Sequence, residues 1–308
     1  MQYQFKMKAN IFAFKHYAIH DGPGIRTTIF FKGCPLSCLW CHNPEGQNYK
    51  SELQFYPQKC IGCNECINVC KTGSHIIDRT NGMMRHLFIR ETCNACGNCI
   101  NNCLGEALKL CGKYYTIEQV IEEVIQDISF YLESGGGITL SGGECLCQAD
   151  FCSELLQKIK SLGINTAVDT SGYVARGEID KVIPFTDIFL YDIKHIDPES
   201  HRAITGVRND IIIENLLYLC ELHKKVEIRI PIIPSLNDND QTIYQIGTLL
   251  KNHSNIQGVR LLKYNNLASS KYDAIGKMNT LPRIKPPNDA KMMHLKRILE
   301  DSGLNVII

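Results

Sequence analysis

Eleven cysteines in three runs constrain this chain more than any other feature. Cys34, Cys38 and Cys41 read C-x3-C-x2-C. Cys60, Cys63, Cys66 and Cys70 read C-x2-C-x2-C-x3-C, and Cys93, Cys96, Cys99 and Cys103 repeat that spacing, each 33 positions after its counterpart. The longer runs, KCIGCNECINVC and TCNACGNCINNC, are therefore an internal duplication. Sixteen cysteines in 308 residues would suggest disulfides in a short exported chain. This chain is not short, and its start, MQYQFKMKANIFAFKH, has no apolar signal core or small-residue cleavage site. No apolar run reaches the roughly 18 residues of a membrane span. A cytoplasmic protein is expected, in which such cysteine usage means metal, redox chemistry or catalysis. The net charge of +1 argues against nucleic acid or a membrane surface as partner. Cys111, Cys145, Cys147, Cys152 and Cys220 lie outside the runs and read as mostly buried small hydrophobes. Scattered histidines such as His75 and His253 read as surface residues.

The duplicated spacing resembles the bacterial ferredoxin run. In two-cluster ferredoxins the fourth cysteine of each run ligates the other cluster. Applied here, Cys60, Cys63 and Cys66 share one [4Fe–4S] cluster with Cys103, and Cys93, Cys96 and Cys99 share a second with Cys70. Both runs lack the usual following proline, having Lys71 and Leu104 instead, which removes no ligand. Zinc also binds C-x2-C pairs, but eight thiolates in two triplet-plus-one runs fit tetrahedral sites poorly.

The first run is chemically different. Three cysteines leave one iron of a cubane open, and an open metal position is what catalytic sites keep. Thr27 to Lys32 is β-branched and aromatic, a short buried strand bounded by Gly33. The triplet thus falls on the loop after a strand, where α/β folds carry their sites. With Trp40 before the last cysteine, the triplet resembles the radical S-adenosylmethionine (SAM) signature. That resemblance implies a third [4Fe–4S] cluster whose open iron chelates the methionine moiety of SAM, with a 5′-deoxyadenosyl radical formed by reductive cleavage.

The pattern after the duplication alternates strands and helices. Thr116 caps a helix from Ile117 to Leu132, ended by Gly135-Gly136-Gly137. Strands are predicted at Ile138–Leu140, Asn165–Val168, Asp187–Ile193, Val226–Ile233, Gly258–Leu262 and Val306–Ile308. Helices are predicted at Phe151–Leu162, Glu178–Ile183, Ile212–Leu222, Asp240–Lys251 and Ala290–Glu300. Repeated βα units mean a parallel sheet. The pattern alone leaves a doubly wound sheet and a partial barrel both open.

Longer motifs narrow the resemblance. DGPGIRTTIFFKGC, SGGGITLSGGE, DTSGY, YDIKHID, HRAITGVRN, RIPIIPSLND and KYDAIG are similar to the glycyl-radical-enzyme activating enzymes, from about Asn10 to the C-terminus. The ferredoxin insert marks their larger subgroup, and the similarity leans toward choline trimethylamine-lyase and glycerol or diol dehydratase activases. The resemblance implies an α/β partial (β/α)6 barrel of the TIM type. Residues 1–48 and 113–308 form the core, and residues 49–112 a ferredoxin-like insert. It implies an anaerobic radical SAM oxidoreductase that abstracts hydrogen from a glycine Cα in a partner lyase or dehydratase, fed by a flavodoxin or ferredoxin.

Site residues follow from the same resemblance. Cys34, Cys38 and Cys41 hold the catalytic cluster; Gly142, Gly143 and Glu144 meet the methionine amino group. Asp192 and Lys194, with Ile193 between them, hold the ribose and the carboxylate. Backbone groups of Trp40, Cys41 and His42 meet adenine, and Arg229 points into the site. Asp169 and Asp192, with the Thr170 backbone, offer a place for a monovalent cation. The segment from Asp21 to Arg26 lies near the partner's glycyl loop. One departure stands out: relatives read L-L-P-Y-H where this chain has Leu261-Leu262-Lys263-Tyr264-Asn265, so Asn265 replaces a cofactor-touching histidine. The alternatives are a radical SAM maturase of another peptide or small molecule, and an electron-transfer protein of ferredoxin type. The sequence leaves open the client and the work of the two inserted clusters.

Overall fold

The computed structural model describes residues 6–79, 85–281 and 284–308. Thirteen strands are described: β1 Lys8–Ala18, β2 Arg26–Phe31, β3 Glu52–Phe55, β4 His75–Asp78, β5 Arg85–Phe88, β6 Leu108–Cys111, β7 Lys113–Thr116, β8 Gly137–Gly142, β9 Asn165–Thr170, β10 Ile188–Asp192, β11 Val226–Ile232, β12 Ile256–Lys263 and β13 Val306–Ile307. Nine form one sheet in the order β13-β12-β11-β10-β9-β8-β2-β1-β7. From β2 through β13 every neighbouring pair is parallel, whereas β1 is antiparallel to both β2 and β7. Six long parallel strands, a short seventh and no edge-to-edge closure make an open, partial barrel rather than an eight-stranded one.

The strands are buried on both faces and read as apolar runs; Ile138, Leu140, Val168, Phe189, Ile228, Ile230 and Val259 are all at most 1% exposed. Helices Ala149–Ser161, Arg176–Val182, Asp210–Glu221, Asp240–Leu250 and Asp289–Glu300 fill the crossovers between successive parallel strands. The predicted Thr116 cap is present as a capping box, with Thr116 Oγ1 accepting from Gln119 N and Gln119 Oε1 from Thr116 N. The helix behind it is interrupted, running Ile117–Val124, then a 3-10 turn Ile125–Asp127, then Ile128–Ser134.

Among the elements that were not predicted are β1 and two short helices. β1 escaped because two bulges break its alternation, between Ile11 and Ala13 and between Lys15 and Ala18. Helices Pro198–Thr205 and Ser269–Ile275 are only 8 and 7 residues long, too short for a clear period.

The segment between β2 and β7 carries the duplication into its backbone. β3 pairs with β6 and β4 with β5, both antiparallel. β5 lies 33 positions after β3, and β6 lies 33 after β4. The core of this segment is small: Leu53, Phe55, Cys99, Ala107 and Leu108, with Cys60, Cys66, Cys93 and Cys103 packed against it. Two cations tie it to the large sheet. Lys32, just beyond β2, donates to Glu45 O at 2.8 Å and pairs with Glu52 at 2.6 Å. Arg90 donates to Leu53 O at 2.9 Å and to Ala274 O at 2.8 Å.

The Gly135-Gly136-Gly137 run does three separate things. Gly135 ends the helix with φ +68°. A Cβ on Gly136 would lie 1.8 Å from Ile25 O, and one on Gly137 1.9 Å from Asn165 O. Gly135→Ala is therefore expected to cost about 1 kcal/mol, whereas Gly136→Ala abolishes soluble expression. Denaturant unfolding and yield check this; a near-neutral Gly136→Ala would contradict the close approach.

Candidate active site

The loop from Cys34 to Gln47 leaves the C-terminal end of β2 and is pinned on both sides. Ser37 N donates to Thr205 O at 2.8 Å and Leu39 N to Ile204 O at 3.0 Å, joining it to helix Pro198–Thr205. Opposite, the Lys271 ammonium reaches His42 O (3.0 Å), Asn43 Oδ1 (2.9 Å) and Glu45 Oε1 (2.9 Å). Beneath it Trp40 packs with Ile204, Ile233 and Tyr264. Lys271 was not singled out in the sequence, although it opens the KYDAIG motif.

Cys34, Cys38 and Cys41 open onto a cavity of about 340 Å³. The ends of the parallel strands form its other walls: Ser141 to Gly143 at the end of β8, Asp169 to Ser171 at the end of β9, Asp192 and Lys194 at the end of β10, Arg229 and Pro231 on β11, and Lys263 and Tyr264 at the end of β12. Trp40 and His42 also line it, as does Asp21 from the DGPG turn. Arg26 of that turn is instead fully buried, bonded to Thr139 Oγ1 (2.7 Å) and Asn165 Oδ1 (2.9 Å), where it fastens strands together.

Charge is unusually concentrated in this cavity. Arg229 lies 3.6 Å from Asp169, 3.9 Å from Asp21 and 3.5 Å from Glu227, and donates to His20 O at 2.7 Å, yet its buried Nε makes no hydrogen bond. Lys194 is paired with Asp192; burial would depress its ammonium, but Asp192 and Cys38 hold it above its ordinary value. Asp169 accepts from Ser141 Oγ at 2.6 Å. Burial pushes its carboxyl up to about 6, against the pull of Arg229 and with the push of Asp192.

Three expected contact residues point elsewhere. The Glu144 carboxylate is fully buried and accepts from Thr170 Oγ1 (2.8 Å), Ser171 N (2.8 Å), Ser171 Oγ (2.6 Å) and Leu146 N (3.2 Å). It locks the end of β8 to the end of β9. Ile193 belongs to the main core. Asn265 turns its Oδ1 to Leu267 N at 3.2 Å, while its carbonyl takes His42 Nε2 at 3.1 Å. Lys263 does not substitute for the missing histidine, because Asp289 holds it at 2.6 Å. Gly142 and Gly143 line the cavity, and their lack of a Cβ is also a packing need: one would lie 2.3 Å from Phe31 N, the other 2.4 Å from Gly33 O.

The donor set suits iron. Burial pushes the thiols of Cys34, Cys38 and Cys41 up, Cys38 to about 12, so each is a neutral thiol unless a cation sits beside it. Among the described residues no fourth cysteine lines this cavity. In the insert, Cys60, Cys63, Cys66 and Cys103 surround one small cavity, and Cys70, Cys93, Cys96 and Cys99 another. Each set draws three cysteines from one run and one from the other, the crossed pairing of the ferredoxin pattern.

Of the five cysteines read as mostly buried, Cys111, Cys145, Cys152 and Cys220 are buried and Cys147 is exposed. One sequence reading needs correction. His75 is not on the surface: it is 2% exposed, and burial pushes its imidazole down to about 4.

Comparison with known proteins agrees with this geometry. The radical SAM superfamily model matches residues 92–245, and a 4Fe-4S single cluster domain matches residues 20–75. The trans-4-hydroxy-L-proline dehydratase activating enzyme of Clostridioides difficile is 39% identical, covering 94% of this chain and 96% of its own. The choline trimethylamine-lyase activating enzyme of Oleidesulfovibrio alaskensis is 40% identical over 87% of each chain. The indoleacetate decarboxylase activating enzyme of Tractidigestivibacter scatoligenes is 37% identical over 98% of each. A solved radical SAM methyltransferase from Sphaerobacter thermophilus shares the fold, with a TM-score of 0.52 at 16% identity, over 92% of this chain and 65% of that one. Fold and site thus define a radical SAM protein with iron–sulfur centres. Within that class, the chain belongs to the family of glycyl-radical-enzyme activating enzymes. Among the described residues no helix is long and apolar enough to cross a membrane.

A carboxyl whose folded pKa lies above its unfolded value near ~3.9 loses stability as pH rises from about 4 to about 6. Asp169 is such a group. Asp169→Asn is expected to stabilise the protein at pH 7.5, with the gain shrinking toward pH 5. Denaturant titrations at the two pH values measure it; an equal gain at both would contradict the charge account.

Proposed function

We propose that this protein cleaves SAM at Cys34, Cys38 and Cys41 and abstracts a hydrogen atom from a glycine Cα of a partner glycyl-radical enzyme. The observation that carries the reading is the three-thiol loop facing Asp169, Asp192, Lys194 and Arg229 across one cavity. Cys34, Cys38 and Cys41 would hold a [4Fe–4S] cluster there, which would supply the one electron needed to split SAM into methionine and a 5′-deoxyadenosyl radical.

The chain's own residues bind and orient. Lys194 matches the methionine carboxylate and Asp192 the ribose hydroxyls, the two sharing one charge balance. Glu144 acts through Thr170 and Ser171, which it fixes in place, leaving its backbone and the adjoining glycines for the amino group. Trp40, Cys41 and His42 offer the adenine contacts. Arg229 brings a buried guanidinium to the same cavity, beside Asp169. Asp169 and Asp192 are suited to a monovalent cation, whose arrival would relieve the burial cost at Asp169.

In this reading residues 49–112 form an inserted unit with two further [4Fe–4S] clusters, one on Cys60, Cys63, Cys66 and Cys103 and one on Cys93, Cys96, Cys99 and Cys70. Residues 1–48 and 113–308 form the radical SAM core. A flavodoxin or ferredoxin donates the electron, as expected of a cytoplasmic anaerobic system. Four relatives at 37–40% identity are named for four different client enzymes, so identity at this level follows the activase rather than its client.

The test combines anaerobic reconstituted protein, SAM, a reductant and a candidate glycyl-radical enzyme. A glycyl doublet in electron paramagnetic resonance (EPR), with matching 5′-deoxyadenosine, is expected. Deoxyadenosine without a doublet from any glycyl-radical enzyme would point to a maturase instead. Neither product, from protein carrying its iron, would overturn the radical reading. Cys34→Ala is expected to reduce deoxyadenosine to background. Lys194→Met is expected to raise the Kd for SAM at least about tenfold, the loss of one charge-assisted hydrogen bond.

A further inference from the structure

Two histidines lie between the cysteine cavities of the insert. His86, on β5, lines the cavity of Cys60, Cys63, Cys66 and Cys103. Its Nδ1 is 3.9 Å from Cys60 Sγ and its Nε2 3.6 Å from Cys66 Sγ. His75, on β4, lines the cavity of Cys70, Cys93, Cys96 and Cys99. The two rings stack with centroids 5.1 Å apart, and His75 Nδ1 is 2.9 Å from His86 Nε2.

The duplication shows that the fold does not need these histidines. Position 33 before His86 is Leu53, and position 33 after His75 is Leu108. Leu53 lines the cavity of the Cys93 set, and Leu108 that of the Cys60 set. The pair β3–β6 therefore carries two leucines where its duplicate, β4–β5, carries two histidines. An apolar pair suffices in one half, so the polar pair in the other has a further task.

Hydrogen-bond chemistry says what it is. A cluster thiolate only accepts, and a neutral imidazole offers one N–H and one lone pair. With the His75 Nδ1–H donating to His86 Nε2, the His86 Nδ1–H is left for Cys60 Sγ. A donor aimed at a cluster sulfur stabilises the more negative, reduced form and raises the reduction potential.

We propose that His75 and His86 form a hydrogen-bonded bridge between the two insert clusters, in which His86 donates to Cys60 Sγ and raises the reduction potential of the cluster on Cys60, Cys63, Cys66 and Cys103, while His75 sets the His86 tautomer. Both are positioning residues: they act on the cluster through its cysteine ligand. The bridge makes the two halves of a duplicated unit electronically unlike, and it rests on the two-cluster assignment above.

The test is an EPR-monitored redox titration of the reconstituted full chain, with iron, sulfide and zinc measured in parallel. His86→Leu, which copies Leu53 of the sister half, is expected to keep full iron and lower one cluster's potential. The shift corresponds to roughly a tenfold change in the reduction equilibrium, about 59 mV for one electron. The other insert cluster stays in place. His75→Leu shifts the same cluster in the same direction by less, and His86→Gln, which keeps an N–H donor, restores part of the loss. Unchanged potentials in a His86→Leu protein with full iron would overturn the bridge and leave the cluster assignment standing. Unsubstituted protein short of two clusters' iron would overturn the assignment itself. So would zinc bound at Cys66, His75 and His86, whose ligand atoms lie within 4.8 Å of one another.

Discussion

A thiolate kept from water needs a cation beside it, and the active-site loop of this protein is arranged around that requirement. Burial pushes Cys34, Cys38 and Cys41 toward the neutral thiol, while the loop that carries them is held by five polar contacts to Thr205, Ile204 and Lys271. Such restraint has no use for three protonated thiols and much use for a metal cluster, whose geometry tolerates little error. The insert has a different constraint, a small core: Leu53, Phe55, Ala107, Leu108 and Cys99, with Val69, Phe88, Ile100 and four further cysteines packed around them. A segment with so little to bury needs metal–thiolate bonds for stability.

The parallel sheet supplies what the loop cannot. Successive strand ends bring Ser141, Asp169, Asp192 and Arg229 to one rim because each crossover returns the chain in the same direction. Charge of both signs is then buried together, at a cost visible in the raised Asp169 carboxyl and the orphaned Arg229 Nε. A protein selected for stability alone would have replaced these groups with apolar ones. Charged groups of both signs gathered around one cavity are the signature of ligand binding.

Much of this was legible in the sequence, and the rest was hidden for identifiable reasons. The crossed cysteine sets were legible through the resemblance to two-cluster ferredoxins, and the two small cavities of the insert group the cysteines the same way. The parallel strands follow from apolar runs between helical periods. β1 was hidden by its bulges, and the sequence motif did not say that the Glu144 carboxylate turns to Thr170 and Ser171. Lys271 was hidden because its partners are the carbonyl and side chains of a loop more than 200 residues away in the chain. His75 was misread as a surface residue, although the signal was present: the 33-residue offset pairs it with Leu108, a strongly apolar position.

Iron-edge anomalous scattering from anaerobic crystals tests the central claim most directly. The account predicts three compact iron centres: one against Cys34, Cys38 and Cys41, one among Cys60, Cys63, Cys66 and Cys103, and one among Cys70, Cys93, Cys96 and Cys99. A zinc-edge signal at the insert, or iron bound within each cysteine run without the crossed ligand, would contradict it.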